Sequence, residues 1–147
     1  MTDPLLIQLE EHEGFVPHAY KDSQGWWTIG IGRLVDQRRG GRISREEALY
    51  LLQNDVEDAT GELDLRLSSW RDLSDIRQRV LLDMAFQLGV GGLMKFRSMR
   101  QRLNEKNYRM AAEQMRRSLW YTQTFNRAER LARMMETGHE VPLSEVP

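Results

Sequence analysis

The 147-residue chain contains no cysteine, which excludes a disulfide framework, a thiolate nucleophile and any zinc–cysteine centre. A chain of this length buries an adequate core without such staples. It also lacks any run approaching the ~18 uninterrupted apolar residues of a bilayer-spanning helix, so no membrane insertion is expected. Its opening residues, Met1-Thr2-Asp3-Pro4-Leu5-Leu6-Ile7-Gln8-Leu9-Glu10-Glu11, carry neither a basic leader nor a long apolar region, and no secretory signal is expected. His12, His18 and His139 are the three histidines, and their scatter forms no ligand cluster, so neither a metal nor another cofactor is expected. Internal repeats and low-complexity tracts are also missing. What remains is ordinary for a globular domain, with 40% hydrophobic and 29% charged residues, and a single domain over 1–147 is expected.

The formal net charge of −1 conceals an asymmetry. From Arg97 to Arg133 there are ten basic residues against three acids, so this stretch carries +7 and the remainder −8. Such a stretch either attracts an anionic polymer or forms a solvated arginine-rich helical surface. No helix-turn-helix or RNA-binding signature accompanies it, and no nucleic-acid partner is expected.

Leu5, Leu6 and Leu9 follow a helical spacing behind Asp3-Pro4, a cap followed by proline at the first helical position, and that helix ends near Gly14. Residues 19–35 are aromatic, β-branched and punctuated by glycine, as in short antiparallel strands joined by a turn at Ser23-Gln24-Gly25. Period-two alternation sets Trp26, Thr28 and Gly30 on one face and Trp27, Ile29 and Ile31 on the other, with the isoleucines expected to anchor the sheet. Arg38-Arg39-Gly40-Gly41-Arg42 is a loop by composition. Ser44-Arg45-Glu46-Glu47 is a capping box opening a long helix whose apolar stripe is Ala48, Leu51, Leu52, Val56, Ala59 and Leu63. Asp55 interrupts that stripe; it requires a partner if buried, and none if it lies at the hydrated edge. Residues 75–88, ending at Gly89, read as a central helix, with further helices over 99–104, 108–118 and 126–136 and a loosely packed tail from Gly138 to Pro147.

Two carboxyls and a hydroxyl, Glu13, Asp22 and Thr28, surround the hairpin. Glycosidic cleavage needs one acid to protonate the leaving oxygen and a second group to manage water on the opposite face of the sugar. Glu13-Gly14, followed by the pattern Tyr-x-Asp-x-x-Gly-x-x-Thr-Ile-Gly-x-Gly over residues 20–32, resembles the phage-type (T4-like) lysozymes and endolysins of glycoside hydrolase family 24. The likeness continues through Met84-Ala85-Phe86-Gln87-Leu88-Gly89, Phe96, Ala111-Ala112, Trp120-Tyr121 and Gln123-Thr124-Phe125-Asn126-Arg127-Ala128, covering about residues 5–138.

The resemblance implies an α+β, mostly helical, two-lobed lysozyme-like fold, with a small antiparallel β-hairpin lobe and a helical lobe joined by a long helix. The small lobe takes residues 14–55, and the helical lobe 1–13 and 56–138. It implies a muramidase cleaving β-1,4 bonds between N-acetylmuramic acid and N-acetylglucosamine in peptidoglycan. Glu13 is then the general acid, with burial expected to raise its pKa, while an ionised Asp22 and Thr28 hold the attacking water in a single, inverting displacement. Leu34 and Phe86 match cleft positions; Met99 and Gln114 stand where the best-known member has serine and asparagine. Arg127 matches an arginine that pairs with the catalytic glutamate. Arg33 and Asp55 match a histidine–aspartate pair, with an arginine that does not titrate near neutrality. By the same resemblance the chain is a monomeric endolysin held in the host cytoplasm and released to the wall through a separate holin-type pore. A noncatalytic glycan-binding or phage tail module and a lytic transglycosylase are the competing readings.

Overall fold

The computed structural model describes residues 3–35 and 42–145, so the loop predicted at Arg38–Gly41 lies outside the described residues. The chain is mostly helical with a small three-stranded antiparallel sheet, the α+β class that the pattern predicts. It divides into two compact units, Met1–Leu51 and Leu52–Pro147. The first helix falls in the same unit as the sheet, whereas residues 1–13 were expected with the helical lobe.

In the first unit, helix α1 (Pro4–Glu13) is opened by the Asp3 side chain, which accepts the Leu5 N–H at 2.9 Å, with proline at the start where its missing donor costs nothing. Gly14 closes it at φ 73°, a conformation that costs glycine little. Strands β1 (Val16–Lys21), β2 (Trp27–Gly30) and β3 (Arg33–Leu34) follow in the order β1-β2-β3. Tyr20 lies opposite Thr28 on one side, and Leu34 opposite Thr28 on the other. The short third strand was not foreseen, because two residues leave no visible alternation.

The two isoleucines do not anchor the sheet. Ile29 and Ile31 are 37% and 45% exposed and line a groove of about 690 Å³ with Ile43, Tyr50 and Leu51, while Thr28 is the buried residue at 4%. The physical reason is register: β2 is the central strand, so Thr28 is covered by neighbours on both flanks.

Helix α2 (Arg45–Arg66) starts where the capping box predicts, with Ser44 Oγ accepting the Glu47 N–H at 3.1 Å. Its predicted apolar stripe is mostly not core. Leu51, Leu52 and Val56 are exposed, Leu63 is fully buried, and Asp55 is exposed at the hydrated edge, so it carries no burial penalty. Asp64 ties the helix end to the following 3₁₀ turn (Ser68–Asp72), accepting from Trp70 Nε1 at 2.8 Å and from Arg71 Nε at 2.8 Å. These donors, Arg71 foremost, hold its carboxyl below the usual range.

Helix α3 (Asp75–Met94), capped by Ser74, is interrupted at Gly89, whose φ of 74° and ψ of 157° break the helix where the sequence predicts its end. Helices α4 (Arg97–Asn104), α5 (Tyr108–Arg116), α6 (Leu119–Gln123) and α7 (Phe125–Thr137) complete the second unit. All buried apolar residues among the described residues lie in this unit. Its centre is rich in methionine, with Met84, Met99, Met115 and Met135 at most 1% exposed, an adaptable filler between helices. The tail is not loose. Arg130 Nε donates to Val141 O at 2.5 Å, Arg133 donates to Glu145 O at 3.1 Å, and Val141 is buried at 8%. The two prolines concealed that attachment, which is made by arginines of α7.

The +7 stretch is consumed by structure more than it is displayed. Arg116, Arg133 and Tyr121 converge on the buried carboxylate of Glu129, with Arg116 Nη2 at 3.2 Å, Arg133 Nε at 3.2 Å and Tyr121 Oη at 2.5 Å. Burial pushes the Glu129 carboxyl up, and the hydrogen bonds from Arg116 and Tyr121 outweigh it, so its pKa lies below the usual range. Tyr121 moves the other way, raised first by burial and then by its bond to Glu129. A carboxyl lowered in the folded state contributes stability at neutral pH that is lost as pH falls through the lowered value. A phenol raised in the folded state contributes stability below its ordinary value of 10.0 that is lost as pH rises through the raised one. Glu129→Gln is therefore expected to destabilise the protein at pH 7 by about 2 kcal/mol, and the deficit should shrink on acidification. Denaturant melts at several pH values measure this; a deficit constant down to pH 3 would contradict the network.

Candidate active site

Three of the predicted chemical residues belong to the first unit. Glu13 is the last residue of α1 and is exposed, so the burial expected of it is not supplied within this unit. Its carboxyl lies against the turn between β2 and β3. A Cβ placed on Gly32 would lie 2.7 Å from Glu13 Cδ and 2.9 Å from Glu13 Cβ, and Gly32 has φ +62°. The glycine is required there for both space and conformation.

Asp22 closes the hairpin between β1 and β2. Its Oδ1 accepts the backbone N–H groups of Gln24 and Trp26, each at 2.9 Å, and its own N–H donates to Trp26 O at 2.8 Å. An aspartate that caps its own turn in this way has its rotamer fixed by backbone donors. Among the described residues no protein donor engages Oδ2, which leaves that oxygen for a water or ligand.

Thr28 donates its hydroxyl to the same Trp26 carbonyl at 3.2 Å. With its proton directed there, the oxygen retains lone pairs that accept from a water. The backbone of Trp26 thus joins Asp22 to Thr28, and the register sets Leu34 directly opposite Thr28.

Phe86, Arg127, Met99 and Gln114 fall in the second unit in two separate places. Phe86, 48% exposed, lines a cavity of about 350 Å³ with Leu82, Asp83, Arg127 and Leu131. Met99 and Gln114 line a different cavity of about 440 Å³ with Leu88, Phe96, Ser118 and Trp120. Arg127 donates Nε to Asp83 Oδ1 at 2.7 Å and Nη2 to Asp83 O at 3.3 Å. In the first unit, Arg33 donates to Glu47 Oε1 at 2.7 Å.

Asp83 was not named from the sequence and Glu47 was named only as the capping-box glutamate, since each pairing spans a separation that helical spacing does not encode. The role of the Trp26 backbone was equally invisible, because main-chain donors carry no residue signature. Gly32 was legible only as the last glycine of the motif.

The phage lysozyme family model matches residues 10–133. The chain is 29% identical to "Probable T4-type lysozyme 1" of Dictyostelium discoideum, over 94% of this chain and 96% of that protein. It is 32% identical to the "Pre-baseplate central spike protein Gp5" of Enterobacteria phage T4, over 89% of this chain and 27% of that one. It is 28% identical to "Peptidoglycan hydrolase gp36" of Pseudomonas phage phiKMV, over 92% of this chain and 15% of that one.

Gly32→Ala is expected to push the Glu13 carboxyl out of its place and to destabilise the chain by roughly 1–2 kcal/mol, the cost of a left-handed non-glycine residue. Carbon NMR of the labelled Glu13 carboxyl and a thermal melt check both effects. An unmoved Glu13 resonance would show that the glycine does not position it.

Proposed function

Because this chain belongs to the phage lysozyme family and is a peptidoglycan hydrolase, we propose that it is a muramidase. It cuts the β-1,4 bond between N-acetylmuramic acid and N-acetylglucosamine by single displacement. The observation that carries this reading is the knot at the hairpin, where Asp22 and Thr28 share the backbone of Trp26, with Asp22 Oδ2 unengaged among the described residues.

In the proposed reaction the Glu13 carboxylic acid gives its proton to the glycosidic oxygen as the bond from that oxygen to the anomeric carbon breaks. A water bound between Asp22 Oδ2 and Thr28 Oγ1 attacks the same carbon from the opposite face and passes its proton to Asp22. Inversion follows from the single displacement. Thr28 orients the water, since its own proton is engaged by the Trp26 carbonyl. Leu34, across the strand from Thr28, borders the same site; in the second unit Phe86 and Gln114 are proposed to contact glycan, whereas Met99, 1% exposed, is closed off in the core.

We read the biological role as that of a monomeric endolysin that reaches the wall from the host cytoplasm through a separate holin-type pore. Cell fractionation before lysis tests it, with wall-bound protein at that stage as the contrary result. The likeness to a baseplate spike protein favours keeping a second reading, a tail module that binds glycan without cutting it. A clearing assay on purified walls separates the two. A lytic transglycosylase would instead leave anhydro products, lighter by one water in a mass spectrum.

Glu13→Gln is expected to reduce wall clearing by about 10²–10⁴-fold, the usual contribution of a general acid, with the circular dichroism spectrum intact. Proton NMR of the first-formed reducing end should show the α anomer. An initial β anomer would overturn the single-displacement assignment, and clearing that survives Glu13→Gln would place the acid elsewhere.

A further inference from the structure

Two tryptophans precede Thr28, and their surroundings differ. The Trp27 ring carries the Lys21 ammonium over its face at 5.4 Å, and the cross-strand register holds that pair together. The Trp26 indole is 42% exposed, and among the described residues it has no aromatic or cationic partner and no acceptor for Nε1. Trp26 stands one residue before β2, and continuing the strand's alternation backwards sets it on the Thr28 side, with Trp27 on the opposite one. The Trp26 backbone donates to Asp22 and accepts from Thr28, so the ring hangs from the peptide that fixes both groups. Leaving so large an apolar side chain half in water forgoes the stabilisation its burial would give. A pyranose offers what such a ring lacks, a face of C–H bonds to lie on it and hydroxyls to accept from its N–H.

We propose that Trp26 is a sugar platform, its exposed indole stacking on a pyranose of the glycan strand seated over Asp22 and Thr28. The inference rests on the muramidase reading and extends it, assigning to this residue a share of substrate binding separate from the chemistry. The stacked pyranose is a neighbour of the one that is attacked, so its face does not change during bond cleavage, and the stabilisation, equal in ground and transition states, appears in KM. An aromatic ring stacked on a flat partner contributes about a ten-fold change in binding when removed.

Soluble peptidoglycan fragments, prepared by sonication of purified walls, are the probe. Trp26→Ala is expected to raise KM about ten-fold with kcat within two-fold, and Trp26→Tyr to stay within about three-fold, because a phenol ring still stacks. Trp27→Ala is expected to leave KM within about two-fold. Binding without turnover is read by fluorescence in a Glu13→Gln background, where Trp70 and Trp120, 2% and 5% exposed, are shielded from ligand. Adding fragments should change the emission, and a further Trp26→Phe substitution should remove that change while Trp27→Phe preserves it. An unchanged KM in Trp26→Ala, a fall in kcat alone, or a fluorescence change carried by Trp27 would each overturn the platform. If the fluorescence response appears in the Glu13→Gln protein but the wild type releases no reducing sugar, the muramidase reading fails and the platform stands.

Discussion

The chemistry proposed for the first unit depends on two backbone N–H groups that point at one oxygen of Asp22. Those donors, from Gln24 and Trp26, fix the carboxylate in the turn and, among the described residues, leave its second oxygen without a protein donor. The Trp26 carbonyl then accepts from both Asp22 N–H and the Thr28 hydroxyl. The backbone of one residue, Trp26, therefore holds both Asp22 and Thr28, the two groups proposed to act on the same water. This is a cheap way to preorganise a site, since main-chain donors lose little conformational entropy beyond what the hairpin has already lost. It also explains why a unit whose only buried residue among those described is a threonine can present fixed side chains.

The second unit is built on the opposite logic, with its order coming from core packing and from one buried carboxylate. Glu129 would be unfavourable alone, and it is tolerated because three donors on α5, α6 and α7 meet it. The same donors connect elements that their apolar faces alone would hold only loosely in register. The methionines between them adapt to irregular gaps, so specificity of packing falls to the polar network more than to the shape of the core.

Local signals in the sequence located the elements well wherever a cap or a glycine had a single physical use. Asp3-Pro4, Ser44 with Glu47, and Gly89 all sit where their chemistry places them. The α2 stripe failed because periodicity reports which residues share a helix face, and says nothing of how much of that face finds a partner. Helix α6 was missed because five residues hold barely more than one turn. The tail was misjudged because what holds it, Arg130 and Arg133 reaching carbonyls, lies eleven and twelve residues upstream. In the candidate site, the side chains proposed to react were named from type and motif, whereas the main-chain groups and the Gly32 contact beside them were not.

The fate of the arginines bears on how the chain meets an anionic wall. Arg100 donates to Met94 O, Arg102 pairs with Glu105, Arg127 with Asp83, and Arg116 and Arg133 with Glu129. The +7 already subtracts Glu105 and Glu129, the pair of Arg127 with Asp83 offsets one more charge, and screening weakens the rest beyond about 10 Å at ordinary salt. The +7 of the sequence is therefore a poor measure of the attractive field. Short-range contacts then carry more of the recognition, and in the first unit two exposed apolar groups, Trp26 and Leu34, adjoin Asp22 and Thr28. Such contacts read the faces and edges of sugars, and they make binding depend on the local fit of the strand more than on its charge.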